Sequence, residues 1–182
     1  PPPRGDPGAT AAGAGASASN SYANALGTEA SASGLQSTAA GFRSNGSGDG
    51  SSAIGGYTVA SAFGAQAIGY GAEATGDNTT AVGFAAAASG AESTAVGGTT
   101  FFGLLNTQAS GTGGSAFGNG AWATGEYSTS VGHNSWADGD DSVALGTNTY
   151  VTAANSVALG AGSFNDRENT ISVGDAGAER QI

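Results

Sequence analysis

The sequence predicts an all-β solenoid, a parallel β-roll wound from 14-residue coils, on three observations. A glycine recurs at Gly27, Gly41, Gly55, Gly69, Gly83 and Gly97, and again at Gly118, Gly132, Gly146, Gly160 and Gly174, in steps of 14 residues broken once by a step of 21. The residue before this glycine is large and apolar in nearly every coil and the one before that is Ala or Ser, which is the period-two alternation of a strand. Finally, Gly, Ala, Ser and Thr dominate the chain, with 34 glycines in 182 residues. So few large apolar residues cannot fill an ordinary core, and the strict period argues against disorder.

Helix is the rival to exclude, because alanine favours it. A glycine about every seven residues, with Ser and Thr between, costs too much in a helix interior.

In chain order, residues 1–19 read as a flexible Pro/Gly/Ala-rich lead-in that enters an imperfect first coil near Gly13. It carries Arg4-Gly5-Asp6, which resembles the integrin-binding tripeptide but is so short that coincidence in a linker is the favoured reading. Residues 20–164 hold the clean repeat. Each coil has one alternation ending at the repeat glycine and a second after it, with small residues three and five places on, as at Ala72 and Ala74 or Ala121 and Ala123. Turn glycines such as Gly34, Gly48, Gly76, Gly90, Gly125 and Gly139 close the second. Two short strands and two tight turns use up one coil, and eleven coils stacked about 4.8 Å apart make a rod of about 50 Å.

So flat a roll is expected to admit Ala, Ser, Gly and Thr alone between its sheets. The larger column must then face outward: Leu26, Ile54, Ile68, Val82, Val96, Phe117, Val131, Leu145, Leu159 and Val173. Such a continuous apolar stripe exceeds what a lone soluble chain tolerates. Association about a rotation axis would cover it, with two or three chains open on periodicity alone.

Two departures from the repeat are candidate ligand-binding positions. The insertion, at about residues 98–114, carries Phe101, Phe102, Leu104 and Leu105 and either binds a ligand or folds back as a cap. A column four residues after the glycine reads Trp122, Trp136, Tyr150 and Phe164, an outward aromatic ladder suited to binding or to self-stacking.

Charge and composition exclude several functions. The net charge is −10 and the only cations are four arginines, so no basic patch can neutralise phosphates and nucleic acid is not an expected partner. With no cysteine and the single His133 in a turn, neither a disulfide, a zinc site nor a nucleophile–base pair is expected. No cofactor is expected, and the chain reads as a non-enzyme. Asp138, Asp140 and Asp141 are a weak candidate calcium turn without EF-hand spacing. A 14-residue step disfavours a hexapeptide-repeat acyltransferase, and a broken column of Thr38, Thr80, Thr94 and Thr129 disfavours an ice-binding array.

The run Asn155-Ser156-Val157-Ala158-Leu159-Gly160, followed by Asp166-Arg167-Glu168-Asn169-Thr170 and Gly177-Ala178-Glu179-Arg180-Gln181-Ile182, resembles the head repeats and neck of trimeric autotransporter adhesins, the YadA-like family. The resemblance implies a left-handed β-roll in a side-by-side homotrimer, with residues 165–182 starting a neck toward a coiled-coil stalk. It also implies a C-terminal outer-membrane anchor beyond this fragment, placing the fragment outside the bacterial cell. The stripe residues Ile54, Ile68, Val82, Val96, Val131, Leu145, Leu159 and Val173 become trimer-interface candidates, joined by Glu179 and Arg180. Partners would be host matrix proteins (collagen, fibronectin, laminin) or host cells. The alternative is a passive spacer.

Overall fold

The computed structural model describes residues 8–100, 104–178 and 180. Two parallel sheets run its length. One has 12 strands, alternating with the 11 of the other, from β1 (Thr10–Ala12) and β2 (Ser17–Ala18) to β22 (Phe164–Asn165) and β23 (Ile171–Ser172). Each strand pairs in parallel with the strand one coil away, 14 residues on, so Thr80, Ala81 and Val82 lie against Thr94, Ala95 and Val96. Across the insertion the register jumps from Thr94 to Ser115 and then resumes. The fold is therefore a parallel β-solenoid with 14-residue spacing, as the glycine period predicts.

Alternation decides what lies inside. In the 12-stranded sheet the middle residue points in, and Ala25, Ala39, Ala53, Ala67, Ala81, Ala95, Ala116, Ala144 and Ala158 are fully buried. In the 11-stranded sheet the second residue does so, including Ala32, Ala60, Ala74, Ala88, Ala109, Ala123 and Ala137. The interior is less restrictive than Ala, Ser, Gly and Thr alone. Val151 and Asn165 occupy the same inward column and are fully buried. Asn165 is accommodated because its amide donates to the Val157 and Thr170 carbonyls, both at 3.0 Å, while its oxygen accepts from the Arg167 N–H and the Thr170 hydroxyl.

A seven-residue rhythm underlies the 14-residue one. Every seventh residue from Gly8 to Asn169, the insertion aside, sits in the left-handed region with φ between 49° and 79°, once in each turn. Many of these residues are not glycine. Asn78, Asn134, Asn148, Asn155 and Asn169 suit the conformation, whereas Tyr22, Tyr57 and Glu92 are held in it by the coils on either side.

Buried hydroxyls close the turns. The Ser37, Ser128 and Ser156 hydroxyls donate to carbonyls three residues back at 2.8, 2.7 and 2.6 Å. The Ser51 and Ser142 hydroxyls are buried without a partner among the described residues. Removing a bonded hydroxyl and a lone one should have opposite consequences. Ser128→Ala is expected to lower unfolding free energy by about 0.5–1.5 kcal/mol, and Ser51→Ala to leave it unchanged or raise it, in urea denaturation.

The ends of the roll differ from the sequence expectation. The first coil begins at Thr10, within the stretch read as lead-in, because Thr10, Ala11 and Ala12 keep register with Asn24, Ala25 and Leu26. At the other end β22 and β23 continue both sheets into the stretch read as neck. The seven extra residues of the insertion all fall in the turn after β13 (Thr94–Val96), since β14 (Gln108–Ala109) already pairs in register with β16 (Trp122–Ala123). The insertion's described flanks pair as the two arms of a small hairpin. Thr99 bridges Asn106 in antiparallel fashion, the Thr100 N–H donates to Leu105 O at 2.8 Å, and the Thr107 N–H donates to Gly98 O at 3.0 Å.

Candidate binding surfaces

The outer face of the 12-stranded sheet carries the apolar stripe. Leu26, Ile54, Ile68, Phe117, Leu145 and Leu159 are each 40–45% exposed in the single chain, and Val82, Val96, Val131 and Val173 are half-buried in the same line. Register holds them side by side, Ile54 against Ile68 and Leu145 against Leu159.

The outer face of the 11-stranded sheet carries the aromatic ladder. Trp122 and Trp136 stack with ring centroids 4.7 Å apart and planes within 7°. Tyr150 stands at 88° to Trp136 with centroids 5.5 Å apart, and Phe164 lies 5.7 Å beyond, tilted 39°. Burial first, and the Asp138 carboxylate second, push the Tyr150 pKa above the ordinary tyrosine value. Asp138 itself accepts from the Thr124 hydroxyl at 2.5 Å.

A second aromatic row, which sequence reasoning missed, lies on the turn edge that follows the long strands. Phe42 and Tyr57 meet at 5.2 Å edge to face, Tyr57 and Tyr70 at 5.5 Å, and Tyr70 and Phe84 stack at 5.7 Å. All four rings are exposed. Arg43 lies over the Phe42 ring and pairs with Glu29 at 2.6 Å in the open. The signal was present but zigzag. Phe42, Tyr70 and Phe84 stand one place after the repeat glycine and Tyr57 two places after.

The hairpin rises from this same edge and joins the two rows. The Asn106 amide donates to Ala85 O at 3.1 Å, beside Phe84, and its carbonyl accepts the Trp122 indole N–H at 2.8 Å. Gly98 N–H donates to the Asn119 side chain at 3.0 Å, fixing the hairpin base. Leu104 is 80% exposed and Leu105 half-buried. Phe101 and Phe102 lie outside the described residues, as do Arg4-Gly5-Asp6 and Glu179.

The opposite turn edge is acidic. Asp49, Asp77 and Asp140 accept the N–H groups of Leu35, Phe63 and Glu126 in the preceding coil at 2.8, 3.1 and 2.9 Å. With Asp138 and Asp140 engaged in this way, Asp138, Asp140 and Asp141 form no group able to hold a metal ion among the described residues. His133 is exposed in its turn. Arg180 folds back on its own chain, donating to the Ser163 hydroxyl at 2.9 Å and to Ala161 O.

Residues 22–44, 60–86, 74–100, 109–135 and 137–163, together more than half of the chain, match the YadA head domain repeat. The chain belongs to the YadA head family. Its fold is similar to the crystal structure of the collagen-binding domain of the Yersinia adhesin YadA, with a TM-score of 0.60 and 34% identity over 74% of this chain and 72% of that one. No curated protein matches the sequence. The chain is thus a YadA-like trimeric autotransporter adhesin head, and the Asn-Ser-Val-Ala-Leu-Gly phrase at residues 155–160 is one copy of its structural repeat. Among the described residues no helix is long and apolar enough to cross a membrane.

Proposed function

We propose that this YadA-like head assembles as a side-by-side homotrimer of left-handed rolls and attaches a bacterial surface to host matrix or host cells. The observation that carries the reading is the apolar stripe from Leu26 to Leu159, six of whose side chains are left 40–45% exposed in the single chain. Three chains packing this face about one axis would remove it from water and leave the aromatic ladder and both turn edges outside. Each outer feature would then occur three times, and avidity would strengthen sites that are individually weak. Collagen is the first partner to test, because the similar Yersinia domain is a collagen-binding one; fibronectin and laminin follow. The head belongs, on this reading, to a protein anchored in the outer membrane, and works without catalysis.

The test is saturation binding of the purified chain to surfaces coated with collagen, fibronectin or laminin, and to host cells. Saturable binding to at least one is expected, weakened when the protein is diluted to single chains. Binding to none of them would leave a spacer that holds other parts of the fibre away from the cell.

A further inference from the structure

We infer that the notch between Trp136 and Tyr150 binds one pyranose ring of a neutral glycan. This rests on the reading of the chain as a host-adhesive head and names the ligand class of one of its outer sites.

The notch exists because the ladder changes geometry there. Trp122 and Trp136 stack within 7° and cover each other's faces, but Tyr150 is turned to 88° from Trp136. The two rings still touch edge to face at 5.5 Å, and the concavity lies beside them, against the turn residues. The cavity is about 200 Å³ and is lined by Asn134, Trp136, Asn148, Thr149 and Tyr150. That is below the roughly 300–1,000 Å³ of sites for drug-sized ligands, and suits a single six-membered ring.

The lining chemistry selects among such rings. Trp136 and Tyr150 supply apolar aromatic walls for the C–H face of a sugar. Asn148 accepts the Asn134 amide at 3.0 Å through its oxygen, and its own exposed N–H2 is left for a ligand. Asn134 Oδ1 and Trp136 Nε1 lie behind the notch surface with no partner among the described residues, so a small turn of either side chain toward a ligand would break no existing bond at those atoms. Asn134 and Asn148 are both fixed in the left-handed turn conformation, at φ 53° and 52°, which holds the rim in place before a ligand arrives. No lining side chain is charged and the chain carries a net charge of −10, which disfavours sulfated and sialylated sugars. Donors and acceptors beside an aromatic wall, without a cation, are the complement of a neutral polyol ring.

Both tryptophans of the chain, Trp122 and Trp136, are in the ladder, so intrinsic fluorescence reports on the site. The full chain is titrated with the methyl β-glycosides of galactose, glucose and N-acetylglucosamine, and separately with sialyllactose and tetramethylammonium. A saturable millimolar change with at least one neutral glycoside is expected, unaltered by about 0.5 M salt. Asn148→Ala should weaken it about tenfold, the loss of one hydrogen bond. That variant should fold, because Ala85 already occupies the equivalent turn position at φ 54°; far-UV circular dichroism checks it.

No saturable change with any neutral glycoside up to about 100 mM overturns the proposal. So does a response confined to sialyllactose or to the ammonium ion, or one that Asn148→Ala leaves untouched. Matrix and cell binding are measured on the same preparations. Attachment without glycoside binding removes the notch and leaves the adhesin; glycoside binding without attachment removes the adhesin reading and leaves the notch.

Discussion

Gly118→Ala is expected to cost about 3–5 kcal/mol of stability, enough to break the roll at the middle of the stack. Gly118 has φ +126°, a conformation L side chains rarely adopt, and a Cβ there would come 2.5 Å from the carbonyl oxygen of Gly132 in the next coil. The coil cannot simply move away. Gly118 N–H is bonded to Val96 O on one side at 2.9 Å, and Gly132 N–H to Phe117 O on the other at 2.9 Å. Because each coil is supported by its neighbours alone, a strained one severs the array into two shorter and weaker pieces. Gly50→Ala is the control. Gly50 also has positive φ, +66°, but nothing lies within 4 Å of its would-be Cβ, so about 1–2 kcal/mol of left-handed strain is the whole expected loss. Urea denaturation of the two variants compares the repeat glycine with an ordinary turn glycine. Equal losses would mean that close stacking of the coils does not dictate the glycine period.

Leu145→Glu is expected to dissociate the assembly without unfolding the roll. Leu145 is 42% exposed in the single chain, and in register it lies between Val131 and Leu159, at the C-terminal half of the stripe. If the stripe is the shared axis, each chain loses about 1 kcal/mol of apolar burial there, and three carboxylates are brought together where water is excluded. A change of mass with an unchanged far-UV spectrum is the predicted result. Ala87→Glu, on the outer face of the other sheet, should do neither, since Glu73 already occupies that column one coil earlier.

The features that were legible in the sequence are those that repeat in strict register. The glycine step, the inward alanines and the outward aliphatic column all follow from the stacking of identical coils, and the Trp122–Phe164 ladder follows from the same count. What escaped was chemistry in the turns. Turn side chains point to solvent and share no packing constraint, so Phe42, Tyr57, Tyr70 and Phe84 can shift by one place between coils and still meet in space. The left-handed column was hidden for a related reason, since tyrosine, glutamate, glutamine and arginine occupy it as well as glycine and asparagine. The notch was not legible either. It depends on Tyr150 turning perpendicular to Trp136, which follows from side-chain geometry and leaves the period unchanged.

The most direct measurement is the mass of the folded chain in solution, by light scattering during size exclusion. The homotrimer predicts three times 17.2 kDa for the native chain, falling to the single-chain mass in Leu145→Glu. A native chain that stays at 17.2 kDa at all concentrations, and still shows no association between rolls when a trimeric coiled coil is fused after Ile182, would contradict the stripe as the shared axis.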